Sequence, residues 1–314
     1  AESPEDVIVF LDELADKAYP QAQKEFAELA EFAKETLGIE DLQPWDVGYA
    51  SEKLKQQRYS VSQEELRAYF PAPKAMVGLF ETATRLFNVT FEPAEEYETY
   101  HPEVKLHNVY EDGKLIARFY LDLYAREGKR GGAWMSHYRQ ASDIQGDSIR
   151  PIVTNNLNFA VPAQGEDTLL SYDQVETLFH EFGHGLHGLL TQIRYPRFAG
   201  TSGSPRDYTE FPAQFMEHYA SQPEVLAFYA KHAETGEVIP QELVDKIRAA
   251  STHNQGFKTT EYIAASLLDL SWHNLSPNEA AAVEYAVKFE EETLAAYGKP
   301  GEIESRYRSP YFAH

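Results

Sequence analysis

Residues 171–189 constrain the fold of this 314-residue chain more than any other stretch. Ser171 and Gln174 have the spacing of a capping box, which predicts that a helix begins here. Apolar side chains then recur at intervals of three or four residues, which is typical of a helix with one face in a core. The residues of this apolar stripe are Val175, Phe179, Phe182, Leu186 and Leu189. A packed core must therefore surround one side of this helix.

The same helix carries His180 and His184, four residues apart, with Glu181 beside the first histidine. Side chains four residues apart leave the same helical face, so both imidazoles can bind one metal ion. Glu181 can then reach a water molecule on that ion. A catalytic zinc site also needs a third protein ligand and one open position. Spacing leaves two candidates for that ligand, Glu210 and Glu217, which lie seven residues apart on one face of a following helix.

Composition limits the kind of metal site and the kind of partner. The chain has no cysteine, so His and carboxylate groups must hold the metal; zinc is expected, although such a site also accepts cobalt or manganese. The formal charge of −22 argues against binding to nucleic acid or to an anionic membrane surface. No apolar run approaches the length of a membrane span. Together with the missing cysteines, this favours the cytoplasm.

Most of the chain has helical patterning. Ser3 and Asp6 have cap spacing, and Pro20 predicts a break between a helix ending near Ala18 and a second helix ending at Gly38. The capping box of Ser276 and Glu279 predicts one helix that runs to Gly298. Further helices are expected over residues 44–57, 62–69 and 74–87.

A β-rich block interrupts the helices just before the histidine pair. Residues 104–110 and 115–121 have strand composition, and the Asp112-Gly113 step between them is a strong hairpin signal. Residues 131–135 and 151–154 are expected to add strands. The fold class predicted is mainly α with a small antiparallel β-sheet.

Residues 180–187 resemble the signature of the thimet oligopeptidase family of zinc peptidases. Other family motifs are matched in the same order, so the resemblance covers essentially the whole sequence: residues 43–46, 119–122, 131–135, 210–214 and 311–314. Further details resemble the peptidyl-dipeptidase branch of the family, namely residues 204–207, 268–273 and 306–309.

The resemblance implies a zincin-like catalytic region in a two-lobed helical peptidase, with one zinc ion on the floor of a channel that admits short peptides. It implies Glu210 as the third zinc ligand and Glu181 as the general base. It also implies substrate contacts through the Gly131, Gly132 and Ala133 segment, which would pair with peptide backbone, and through His314 near the scissile bond.

The resemblance also implies that residues 1–314 are the central catalytic portion of a longer enzyme. The family's N-terminal half and its C-terminal Gly/Tyr-rich segment are not found in this sequence. Two alternatives stay open: a catalytically incompetent, metal-binding module that binds peptides or a partner, such as the missing segments of its own parent chain, and a helical scaffold without metal. Cleavage inside oligopeptides and removal of C-terminal dipeptides are not distinguished.

Overall fold

A computed structural model describes residues 3–60, 62–144, 146, 148–163 and 165–312. The chain forms two compact units, residues 1–60 with 246–314, and residues 61–245. Among the described residues, helices predominate and a single five-stranded sheet accompanies them, which confirms the predicted fold class. No helix in these ranges combines the length and the apolar character needed to span a membrane.

The elements are, in chain order, α1 (Pro4–Phe32), α2 (Pro44–Tyr59), α3 (Gln63–Arg67), α4 (Ala72–Phe87), β1 (Val89–Pro93), β2 (Lys105–Glu111), β3 (Lys114–Tyr124), β4 (Trp134–Arg139), β5 (Ile152–Phe159), α5 (Tyr172–Leu189), α6 (Gly200–Gly203), α7 (Phe211–Ala220), α8 (Pro223–Tyr229), α9 (Gln241–Ala250), α10 (Gln255–His273), α11 (Pro277–Ala282) and α12 (Ala286–Ala296).

The first unit contains one long helix where the sequence predicted two. Helix α1 passes through Pro20 without ending and continues as a π-helical turn, Ala33–Leu37, before Gly38 ends it in the left-handed region. Proline alone destabilises a helix interior. Here the buried stripe of α1 packs against Ile263 and Leu267 of α10, so tertiary burial maintains the helix close to Pro20.

The helix predicted from Ser276 to Gly298 is also different in the structure. The capping box of Ser276 and Glu279 forms as expected, but α11 ends at Ala282 and α12 starts at Ala286. Val283, which lies between them, has an extended backbone. This connection contains neither glycine nor proline, so no local pattern indicated the break.

The sheet lies in the second unit and has the strand order β1-β2-β3-β5-β4. The predicted β2–β3 hairpin is present, with Asp112 and Gly113 both at positive φ. The sheet is mixed rather than purely antiparallel, because β5 pairs in parallel with β3. Strand β5 is almost entirely buried and takes the inner place, which leaves the more exposed β4 at the edge.

Helix α5 lies between the sheet and α7, and its glycines allow both contacts. A Cβ on Gly185 would lie 3.1 Å from the side chain of Asn155, and one on Gly188 would lie 2.7 Å from His137. The predicted apolar stripe is buried, with Val175 and Phe182 fully inaccessible. The helix with the two histidines is therefore held on the sheet side by close packing.

Candidate metal centre

His180 and His184 project from one face of α5, with their ring centroids 4.9 Å apart. The capping box that starts this helix forms as predicted, with Ser171 accepting a hydrogen bond from the backbone N–H of Gln174. His184 is buried and His180 is partly exposed. The two rings can therefore approach one ion from the same side.

Gly183 explains how a ligand from α7 reaches this pair. A Cβ at Gly183 would lie 2.5 Å from the backbone oxygen of Pro212 and 2.5 Å from the Cα of Ala213. Any side chain here would force the two helices apart. Because the position is glycine, α7 approaches closely, and Glu210, the residue just before this helix, reaches the histidines.

The structure brings His180, His184 and Glu210 together as a possible metal-binding group. Glu210 Oε2 lies 3.3 Å from His180 Nε2 and 3.2 Å from His184 Nε2. Zinc bonds of about 2.0–2.1 Å in tetrahedral geometry place neighbouring ligand atoms about 3.3 Å apart. The donor atoms and their spacing therefore fit a zinc ion.

Glu217, the other candidate for third ligand, lies on the far side of the His180 ring. Its Oε1 is 2.6 Å from His180 Nδ1, so the protonated Nδ1 donates to the carboxylate. This hydrogen bond raises the pKa of His180, although burial lowers it. It also selects the tautomer that leaves Nε2 free as a metal ligand. The geometry therefore gives the two glutamates different places: Glu210 lies with the Nε2 atoms of both histidines, and Glu217 lies on the Nδ1 side of His180.

Glu181 is a buried carboxylate beside the same site, with 6% of its surface exposed. Burial raises its pKa to about 7; the nearby His180 partly offsets that rise, and Glu210 adds a smaller rise. Its Oε2 has no hydrogen-bond partner among the described residues. A carboxylate in this range can take up and release protons near neutral pH.

The predicted substrate segment, Gly131 to Ala133, is not part of the possible metal-binding group. Gly131, Gly132 and Ala133 precede edge strand β4 and do not belong to it, contrary to the predicted strand 131–135. Gly132 has a φ of +84°, a left-handed conformation that interrupts extended pairing. His314 lies outside the described residues.

Sequence reasoning did not identify a polar network next to the Gly131–Ala133 segment. Asp122 of β3 is buried together with Lys129, and their charged groups are 2.8 Å apart. Asn158 of β5 donates hydrogen bonds to the backbone of the segment itself. Asp122, an aspartate within a strand rich in aromatic residues, was the sequence signal for this network. The sequence does not show which residues it contacts.

Comparison with known proteins shows that this sequence is similar to peptidases. The sequence model of peptidase family M3 matches residues 1–314. Oligopeptidase A of Salmonella typhimurium is 45% identical over 286 residues, which cover 90% of this chain and 42% of that protein. Dipeptidyl carboxypeptidase of Escherichia coli is 38% identical over 317 aligned residues, which cover 100% of this chain and 46% of that protein. The chain thus spans less than half the length of these relatives.

Proposed function

Because the chain belongs to peptidase family M3, we propose that residues 1–314 are the central catalytic portion of a zinc metallopeptidase that hydrolyses short peptides. The observation that carries the proposal is the convergence of His180, His184 and Glu210 beside the buried Glu181. The names of the relatives, an oligopeptidase and a dipeptidyl carboxypeptidase, support short peptides as the substrate class.

His180, His184 and Glu210 would hold one zinc ion per chain through two imidazole nitrogens and a carboxylate oxygen. When bound, zinc supplies Lewis-acid chemistry, which activates water and polarises the scissile carbonyl group. Glu217 would keep His180 in the ligating tautomer through its hydrogen bond to Nδ1. The metal group and its supporting carboxylate thus come from α5 and from the start and middle of α7.

Glu181 would act as the general base. Its carboxylate is buried beside the proposed metal group, where it can accept a proton from the attacking water and then release it. The same carboxyl group would pass that proton to the amine of the departing peptide fragment. Its burial keeps competing solvent away from the proton-transfer step.

The substrate backbone would lie along Gly131, Gly132 and Ala133, next to the exposed edge of the sheet. Main-chain hydrogen bonds to this segment and to the neighbouring edge strand β4 would tolerate many side chains. His314 would contact the substrate near the scissile bond. Such contacts would make the enzyme recognise the peptide backbone more than particular side chains.

The test is to incubate the zinc-loaded chain with a blocked oligopeptide and with its free-carboxylate twin, and to identify the products by mass spectrometry. Cleavage within both peptides supports an oligopeptidase. Release of dipeptides from the free-carboxylate peptide alone supports a peptidyl-dipeptidase. If zinc binds and neither peptide is cut, the proposal is wrong for this chain, which is then a metal-binding module without catalysis.

Glu181→Gln provides the matched control, since glutamine has the size of glutamate but cannot act as the base. We expect this variant to bind zinc with the affinity of the parent chain and to lose turnover. Peptide hydrolysis by Glu181→Gln at the parent rate would exclude Glu181 as the base.

A further inference from the structure

A cavity of about 360 Å³ lies in the second unit, formed partly by the connection between β1 and β2. Half of its lining residues are tyrosines. The lining consists of Glu98, Thr99, Tyr100, Tyr120, Tyr138 and Ile152. Cavities of this size hold small organic ligands. The cavity therefore has room for a ligand and a largely aromatic wall.

The cavity lies on the face of the sheet that points away from α5. Phe119 of β3, and Val153 and Asn155 of β5, lie against the glycines of α5. Successive side chains of a strand point to opposite faces of a sheet, so the adjacent residues Tyr120 and Ile152 point away from α5. The sheet therefore separates this cavity from the helix that carries the two histidines of the candidate metal centre.

The three tyrosine rings meet at steep angles. The centroids of Tyr120 and Tyr138 are 5.7 Å apart with 88° between the ring planes, and those of Tyr100 and Tyr138 are 6.4 Å apart with 69° between the planes. Such pairs set the edge of one ring against the face of another. Tyr100 is 54% exposed and Tyr138 is 55% exposed, so much of their aromatic surface is open to a ligand.

Hydrogen bonds hold two of these rings in place. The hydroxyl group of Tyr100 donates to the carboxylate of Asp122 over 2.8 Å. Arg126 and Lys129 fix that carboxylate in turn. The hydroxyl group of Tyr120 donates to the backbone oxygen of Glu98 over 3.1 Å. Rings that are fixed beforehand lose little conformational entropy when a ligand binds.

The charge around the cavity favours a cation. Glu98 is the one lining residue with a charged side chain in the part of the chain that the structure describes. Arg126 does not line the cavity and is paired with Asp122, and the exposed Arg118 also lies outside the lining. The guanidinium carbon of Arg126 is 5.7 Å from the centroid of Tyr100, so one ring of this group already interacts with a positive charge.

We propose that Glu98, Tyr100, Tyr120 and Tyr138, which we call the tyrosine cage, bind a small organic cation with a methylated ammonium group. The faces of tyrosine rings attract cations, and cages of aromatic rings recognise quaternary ammonium ligands. A methylated ammonium group packs its methyl groups against the rings, whereas a bare ammonium group is strongly hydrated. The site is separate from the candidate metal centre and does not depend on peptide hydrolysis.

Choline and its neutral isostere 3,3-dimethylbutan-1-ol test the proposal, because the two molecules have the same shape and differ in charge. Titration of each into the full chain is followed through the NMR signal of its methyl groups. We expect choline to bind at least about 10-fold more tightly, with its methyl signal shifted upfield by the tyrosine rings. Equal affinities, or no shift with choline up to about 100 mM, overturn the proposal.

Tyr138→Leu and Tyr138→Phe locate the binding site. Tyr138 is exposed in edge strand β4, so both variants are expected to keep the Tm of the parent chain. Leucine has no aromatic face and should weaken choline binding about 5-fold, whereas phenylalanine keeps the ring and should bind nearly as the parent does. Parent-like choline affinity in Tyr138→Leu would place choline elsewhere on the acidic surface and overturn the tyrosine cage.

Glu98→Gln tests the charge of the cage. It should weaken choline binding about 3-fold and leave binding of the neutral isostere unchanged, with a smaller effect at high salt. Glu95→Gln is the matched control, since Glu95 is exposed in the same connection and lies outside the lining. Equal losses in the two variants would mean that the overall negative charge attracts choline, which overturns the cage as its site.

Zinc distinguishes this site from the candidate metal centre. We expect the chain to bind choline with the same affinity after loading with zinc and after treatment with a chelator. Displacement of choline by zinc would place the cation among the metal-binding side chains and overturn the proposal. Failure of the chain to cut peptides would contradict the proposed function and leave the tyrosine cage unaffected.

Discussion

Asp122 and Glu181 are both carboxylates that are more than nine-tenths buried in the same unit, yet their surroundings differ. Burial alone raises the pKa of Asp122, but hydrogen bonds from Arg126, Lys129 and Tyr100 outweigh it and lower the pKa to about 2. Burial of Glu181 is not compensated in this way, and its pKa rises to about 7.

The difference shows what each region of the molecule can do. The donors around Asp122 stabilise its ionised form, so the group stays charged and holds its neighbours in place. Glu181 has a buried oxygen without a partner among the described residues, so it is free to exchange a proton with another molecule. The surroundings of Asp122 suit a structural role, and those of Glu181 suit proton transfer.

The largest expected effect comes from removing the charge of Asp122. Asp122→Asn leaves Lys129 and Arg126 without a counter-charge in a buried site, and it should lower the free energy of unfolding by about 3–5 kcal/mol. Glu181→Gln removes a carboxylate that lacks such partners, and the metal-free chain should retain or gain stability. Urea unfolding at neutral pH in the presence of a chelator measures both variants. Equal losses in the two would contradict the comparison.

Removing a proposed metal ligand should come next in size. Glu210→Gln is expected to weaken zinc binding by more than about 100-fold. Loss of a residue that only hydrogen-bonds to a metal ligand costs about 10- to 100-fold, and loss of a ligand itself should cost more. Glu181→Gln is the matched control and should bind zinc as the parent does. Competition with a chromophoric chelator measures the affinities. Parent-like zinc affinity in Glu210→Gln would exclude Glu210 from the metal group.

A change of pH should alter the contributions of Asp122 and Glu181 to the free energy of unfolding with opposite signs. Because the folded state lowers the pKa of Asp122 from 3.8 to about 2, its contribution is complete above pH 3.8 and is lost as the pH falls to about 2. The loss amounts to about 2 kcal/mol. The raised pKa of Glu181 has the opposite sign, so stability of the metal-free chain falls as the pH rises from 4.5 to about 7.

Unfolding curves across pH 2 to 8 measure this behaviour. In Asp122→Asn, stability should fall less as the pH drops from 3.8 to about 2. In Glu181→Gln, the fall in stability between pH 4.5 and about 7 should disappear. If Asp122→Asn loses as much stability at low pH as the parent chain does, that loss comes from other carboxylates.

The smallest effect concerns Glu217, which contacts His180 and not the metal position. Glu217→Gln keeps an oxygen that can accept the hydrogen bond from Nδ1 but removes the charge. We expect zinc affinity to fall by roughly 10-fold, the lower end for such partners. A loss as large as that of Glu210→Gln would mean that Glu217 is itself a ligand.

The parts that the sequence predicted correctly depend on contacts within a few residues. The capping box at Ser171, the apolar stripe of α5 and the Asp112-Gly113 hairpin are local signals, and all three are confirmed. The unbroken α1 was missed because packing on α10 overrides the local effect of Pro20. The parallel place of β5 was missed because pairing between distant strands leaves no local pattern.

The candidate site divides in the same way. Spacing within α5 brings His180 and His184 together, because a helix fixes that relation. Spacing alone could not choose between Glu210 and Glu217, because both were expected on the same face of one helix. In the structure Glu210 reaches the histidines because α7 approaches α5 closely at Gly183, whereas Glu217 contacts only Nδ1 of His180. Asn158 lies 26 residues from Gly132 in sequence, so its hydrogen bond became visible only in the folded chain.

Gly183 sets how closely α7 approaches α5, and therefore how far Glu210 lies from the two histidines. Ligand atoms 3.2–3.3 Å apart suit an ion as small as zinc. A methyl group at this position would come within 2.5 Å of the backbone of Pro212 and Ala213, so α7 and Glu210 would have to move away by about 1 Å. Gly183→Ala should therefore weaken the binding of zinc and of manganese alike, as competition with a chromophoric chelator would measure, so the absence of a side chain here is a condition for forming the proposed metal group at all.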